Sequence, residues 1–162
     1  ASRATELWSG STWTRTTSSN GNLERLFLEN NNIGDRGAEA LAESLKSNGS
    51  LRFVNLRNNN IGDRGAEALA ESLKSNGSLE ELNLYSNNIG DRGAQALAAG
   101  LLQNRSLREL WISPIGSSAW LCGGSRASPG RQALEEAEKI KRERGDHFKI
   151  WWSDWYSYLY LP

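Results

Sequence analysis

The chain has 162 residues, and its 19 basic and 19 acidic side chains cancel, so it has no net field to gather nucleic acid or anionic lipid, and its length suits one compact domain. A single cysteine, Cys122, excludes a disulfide framework within the chain, and no run of about 18 apolar residues is present to cross a bilayer. Aromatic content is uneven: half of the seven tryptophans, four tyrosines and three phenylalanines lie at or beyond Phe148.

The chain contains no methionine, so a segment is expected to have preceded Ala1, either a cleaved targeting peptide or a larger piece. Residues 1–22 read as a degenerate N-terminal unit or cap. The run TTSSNGN at Thr16–Asn22 aligns with SLKSNGS at Ser44–Ser50, as though a preceding repeat had lost its leucines. Leu7, Trp8 and Trp13 are then expected to lie over the first core layer.

Residues 23–106 hold three units of equal length. Leu23, Leu51, Leu79 and Leu107 each stand 28 residues after the last, and Asn30–Leu51 recurs letter for letter as Asn58–Leu79. Each unit changes period midway. Leu23, Leu26 and Leu28 form LxxLxL, whose end alternates as a short strand does. Asn31, Asn59 and Asn87 follow at the place where an amide can bond turn backbone inside a stack, an asparagine ladder. Ile33 points inward and Gly34 permits a turn. Asp35 reads as the N-cap of a helix starting near Arg36. Ala38, Leu41, Ala42 and Leu45 make one apolar helix stripe, which Asn48 and Gly49 end with residues that tolerate the left-handed conformation. A single unit cannot enclose a core, so such units must stack.

These residues resemble the ribonuclease-inhibitor-like class of leucine-rich repeats, and the pattern LxxLxLxxNxIGDxGAxALAxxL runs from Leu23 to Leu107. Ribonuclease inhibitor, the sensor regions of NOD-like receptors, tropomodulin and the GTPase-activating protein of Ran belong to that class. The resemblance implies an α/β solenoid: a short right-handed horseshoe arc, with parallel strands on its concave face and helices on its convex face. Members share a binding face and not a partner, so the resemblance implies architecture and leaves function open.

Residues 107–150 read as an irregular fourth repeat. Leu107, Leu110 and Ile112 begin it correctly, but the following turn is two residues short and lacks the ladder asparagine. A Gly/Ser-rich loop is expected at 117–130, then a helix at 131–144 supported by the pairs Glu135–Lys139 and Glu138–Arg142, with Gly145 past its end. Phe148 and Ile150 suggest a fifth strand, and residues 151–162 an aromatic tail.

Two surfaces stand out. The residues flanking the inward leucines point out of the sheet: Arg25, Phe27 and Glu29, then Phe53, Asn55 and Arg57, then Glu81, Asn83 and Tyr85, then Glu109 and Trp111. They vary between repeats that otherwise copy one another. Phe27, Phe53, Tyr85 and Trp111 are expected to form an exposed aromatic patch of hot-spot composition, although strands carry scattered aromatics for their own propensity. In the tail, Trp151, Trp152, Trp155, Tyr156, Tyr158 and Tyr160 either cap the last core layer or dock onto a partner.

The chemical inventory is poor. His147 is the only histidine and Cys122 has no CxxC partner, so neither a metal centre nor a catalytic set is expected. No cofactor and no small-molecule substrate are expected, and the chain reads as no enzyme. The expectation is a protein–protein interaction module, an accessory or scaffold subunit of a larger assembly, with peripheral contact to a membrane protein as one setting. Alternatives are a sensing fragment of a NOD-like receptor and an effector of a small GTPase. The lone cysteine favours an intracellular compartment, the cytosol or an organelle.

Overall fold

Stretches of two-residue apolar period alternate with stretches of helical period. The computed structural model describes residues 3–9, 12–19, 22–113, 115 and 128–152 and follows that alternation. Strands β1 (Arg3–Ser9) and β2 (Thr12–Ser19) come first. Then β3 (Asn22–Phe27) leads to α1 (Gly34–Ser47), and β4 (Phe53–Asn55) to α2 (Asp63–Ser75). β5 (Glu81–Leu84) leads to α3 (Asp91–Gln103), β6 (Glu109–Ile112) to α4 (Pro129–Glu143), and β7 (Lys149–Trp152) comes last. The seven strands lie side by side in chain order.

From β3 to β7 the strands are parallel, and Leu26, Val54, Leu82, Leu110 and Ile150 stand in one register row. Val54, Leu82 and Leu110 are fully buried, while Leu26, in the end layer, is partly covered. The helices form a second layer on the inner face. Ala66, Leu69, Ala70 and Leu73 of α2, and Ala94, Leu97, Ala98 and Leu101 of α3, fill the space behind the strands. Alanine and glycine let these helices approach closely. A Cβ on Gly65 would lie 2.8 Å from Asp35 Oδ1, and one on Gly130 would lie 2.7 Å from the Cα of Asp91.

The N-terminal residues depart from the repeat that their SSNGN echo suggests. β1 pairs antiparallel with β2, and β2 antiparallel with β3, so this stretch widens the sheet and supplies no strand–helix unit. The run TWTRTTSS explains the difference, because its β-branched threonines favour a strand and it offers no helical apolar stripe.

Backbone left open by one repeat is satisfied by side chains of its neighbour. Asn59 donates through Nδ2 to the Leu28 carbonyl of the previous repeat (2.7 Å) and to the Arg57 carbonyl (3.1 Å). Its Oδ1 accepts from the amides of Asn31 and Ile33. Asn87 does the same one turn later, and Asn31 bonds the Leu28 and Glu29 carbonyls. Beside these rungs Asn30, Asn32, Asn58 and Asn60 carry positive φ, which asparagine accepts better than most residues.

The aspartates work across repeats too, which corrects the expectation that Asp35 caps its own helix. Asp35 Oδ1 accepts from Gly62 N (2.7 Å) and Gly65 N (2.9 Å), at the start of α2. Asp63 serves Gly90 and Gly93 likewise, and Asp91 serves Gly130. The carboxylate of one repeat therefore meets the open amides, and the positive dipole end, of the next helix.

A second ladder runs along the helix C-termini. Asn48 and Gly49 do not take the left-handed form expected of them; Asn48 is extended, and its Oδ1 accepts from Ser50 N and Leu51 N. Asn76 Nδ2 donates to Leu45 O and Asn48 O, and Asn104 Nδ2 to Leu73 O and Asn76 O. The final rung is Lys141 of α4. Its fully buried Nζ donates to Asn104 O (2.6 Å) and Leu101 O (3.5 Å), beside the Asp146 carboxylate. Burial holds this ammonium below the usual lysine range, against the opposing pull of Asp146.

α4 begins two residues before its expected start, with Pro129 in the first turn and Ser128 Oγ accepting from Arg131 N. Glu138 pairs with Arg142 at 2.7 Å, whereas Glu135 turns back to Arg131 at 2.8 Å instead of forward to Lys139. Most of the expected loop, with Cys122, lies outside the described residues.

Asp63→Ala and Asn59→Ala each orphan buried backbone groups, and each is expected to lower unfolding free energy in urea by about 1–3 kcal/mol. Lys141→Met strands two carbonyls and is expected to fall in the same range. Leu69→Ala, in the buried stripe, is expected to cost about 2–5 kcal/mol. Losses within about 0.5 kcal/mol of wild type for the ladder variants would show that water replaces the rungs.

Candidate functional site

Because strand residues alternate, the inward row of Leu26, Val54, Leu82, Leu110 and Ile150 leaves two outward rows on the opposite face of the sheet. The first holds Arg25, Phe53, Glu81, Glu109 and Lys149; the second holds Phe27, Asn55, Asn83, Trp111 and Trp151. Glu29, Arg57 and Tyr85 follow just past the strands. The residues expected from sequence on this face therefore lie on it together.

The aromatics do not form one patch. Phe27 and Phe53 meet at one end, ring centroids 4.9 Å apart, with the Arg25 guanidinium 4.5 Å from the Phe53 ring. Trp111 and Trp151 stack at the other end, centroids 4.9 Å apart and planes 13° apart, with Lys149 Nζ 3.4 Å from the Trp151 ring. Asn55 and Asn83 separate the two clusters along the second row, and Tyr85 sits under Arg57 at 5.3 Å. These four rings are half-buried, so each cluster is a preformed, partly desolvated platform.

Between the platforms the charge is one-sided. Glu81 and Glu109 are register partners on neighbouring parallel strands. Glu109 Oε2 accepts from Trp151 Nε1 at 3.0 Å. Among the described residues, neither carboxylate has an ion-pair partner. Neighbouring Glu80, by contrast, is bridged by Arg52 and lies 4.0 Å from Arg108. Partial burial, reinforced by the Glu109 charge, pushes the Glu81 carboxyl above the usual range, while Arg25 pulls the other way.

The tail expectation divides. Trp151 and Trp152 are strand residues of β7, and strand alternation sends them to opposite faces. Trp151 joins the outward face, whereas Trp152 packs against the core with Arg131 5.0 Å from its ring. Trp155, Tyr156, Tyr158 and Tyr160 lie outside the described residues. Lys149 and Trp151 join the face as well, a placement not expected from the sequence. The signal was available, since Ile150 takes the place of Leu110 and its two neighbours must then face outward. Among the described residues no three metal-ligating side chains converge.

A parallel sheet backed by helices, repeated every 28 residues and bonded turn to turn by asparagine, defines a leucine-rich-repeat solenoid. The leucine rich repeat family model matches residues 19–42, 47–70 and 75–98, so these three units are leucine-rich repeats. Among solved structures, a leiomodin-1 fragment described as actin-binding site 2 is similar, with 27% identity and a TM-score of 0.64 over 81% of this chain and 70% of that one. The tropomodulin C-terminal domain of Caenorhabditis elegans is 19% identical with a TM-score of 0.65, over 84% of this chain and 77% of that one, a likeness of fold alone. No curated protein matches the chain by sequence.

The raised Glu81 group has a defined consequence. In the window between the ordinary glutamate value and its raised one, the folded state holds more protons than the unfolded, so this group's contribution to stability falls as pH rises. Glu81→Gln is expected to melt above wild type at neutral pH, with the gap closing on acidification through that window. Thermal melts across a pH series measure it; a gap independent of pH would exclude the carboxylate as its source.

Proposed function

We propose that this chain is a non-catalytic protein-interaction module, an accessory or scaffold subunit that holds a protein partner on the outward face of its parallel sheet within a larger intracellular assembly. One observation carries the reading. The first two repeats are identical from Asn30 to Leu51 and differ only between positions 24 and 29, and the outward positions of β3 to β7 hold the Phe27–Phe53 and Trp111–Trp151 platforms. Desolvated aromatics flanked by cations are the composition of binding hot spots. A standard interface takes about 800 Å² from each partner, an area in keeping with five adjacent strands and their flanking turns. The aromatic residues after Trp152 offer a second contact, including one with a membrane protein.

A more specific reading has support from one relative. The similar leiomodin-1 fragment is described as an actin-binding site, so actin is a named candidate for the partner.

Crosslinking mass spectrometry on the chain isolated from its source is expected to join Lys149 to a second protein. Phe53→Ala and Trp111→Ala are each expected to weaken that association by about 2 kcal/mol or more. Crosslinks confined to the helix side, or unaltered binding in both variants, would overturn the sheet-face reading. Co-sedimentation with filamentous actin tests the named candidate, with Trp111→Ala as the control.

A further inference from the structure

We propose that the partner segment lying on this face is basic, and that an arginine side chain from it occupies the square formed by Glu81, Glu109, Asn83 and Trp111. This rests on the sheet-face reading and names the chemistry of what the face binds. The four residues are two register pairs, Glu81 with Glu109 and Asn83 with Trp111, and they sit two apart on their strands. Strand spacing therefore puts the backbones of the two glutamates about 4.8 Å apart, with those of Asn83 and Trp111 about 6.6 Å further along the same face.

The charge at that place is unbalanced. Like charges directly opposite on neighbouring strands repel, and nothing among the described residues within ion-pair distance neutralises these two. The cations of the same row are committed elsewhere: Arg25 lies over the Phe53 ring at one end and Lys149 over the Trp151 ring at the other. One residue earlier on the strands, Glu80 is already bridged by Arg52 and lies 4.0 Å from Arg108, so its carboxylate adds nothing to this centre. The face thus carries a negative centre between two cation-topped aromatic ends.

Shape adds to charge. Trp151 covers one side of the Trp111 indole, which leaves the side toward Asn83 as the surface next to the carboxylates. A guanidinium can pair with a carboxylate through its N–H fork while lying flat on an indole, which an ammonium cannot do as well. An acidic segment would meet two carboxylates at this place, with the nearest cations of the row, Arg25 and Lys149, drawn over the Phe53 and Trp151 rings. An apolar one would bury them unpaired, and the cost of that desolvation makes it the poorer occupant.

The test uses the full chain and two fluorescent peptides of equal length, one alternating arginine with leucine and one with glutamate in place of every arginine. Fluorescence anisotropy is expected to show the arginine peptide binding at least about tenfold more tightly than its glutamate counterpart. The double variant Glu81→Gln/Glu109→Gln is expected to lose about tenfold for the arginine peptide. Glu43→Gln/Glu71→Gln, which removes the same charge from the helix side, is expected to stay within about twofold. Equal binding of the two peptides, or equal losses in the two double variants, would overturn the proposal.

Trp111→Ala separates this failure from failure of the underlying reading. If it weakens both peptides alike while the glutamine variant binds as wild type, the face is a docking site without preference for basic segments. If it leaves both unaffected, the docking face itself is misplaced. Melting curves confirm folding of every variant, and the glutamine substitutions remove a repulsive pair, so they do not threaten the fold.

Discussion

The structure depends on hydrogen bonds made between turns of the solenoid. Each strand–turn–helix coil ends in sharp bends, and bends leave amides and carbonyls that neither helix nor sheet can satisfy. In a buried interior such groups cost more than the bonds they would make are worth. Here the neighbouring coil answers them. Asn59 and Asn87 bond the turns after the strands, Asp35 and Asp63 bond the starts of the following helices, and Asn76 and Asn104 bond the helix ends. All three series join residues of adjacent coils, so no coil is complete alone.

This division of labour leaves the outward face of the sheet free to vary. Core, turns and helices are held by residues repeated almost unchanged, while Arg25, Phe53, Glu81, Glu109 and Lys149 share a register row with no role in the rungs. Chemistry can change there without disturbing the stack. The two platforms and the acidic centre between them are the result, and a face of this kind suits recognition by contact better than bond-making.

The ends show how the pattern is closed. At the C-terminal end Ser113 Oγ accepts from the Ser86 amide, whose equivalent one coil earlier, the Asn58 amide, bonds the Tyr85 carbonyl. Lys141 reaches from α4 to the carbonyls that a further asparagine would meet, its long stem buried and its charge balanced in part by Asp146. At the other end β1 and β2 run antiparallel and extend the sheet beyond the first repeat.

Sequence alone determined the repeat length, the alternation of strand and helix, the inward leucines and the outward positions, because these are set by periods of 2 and 3.6 that are visible in one dimension. It also marked the asparagines and aspartates as turn residues. What it could not show was which backbone they serve: Asp35 reads locally as a cap for its own helix, and only stacking places it under Gly62 and Gly65 of the next. The same holds for Lys141, an ordinary helix lysine by pattern, and for the split of the aromatics into two clusters. Whether Phe27 touches Phe53 or Trp111 depends on strand order and register, and those are decided between coils, where sequence distance no longer measures distance in space.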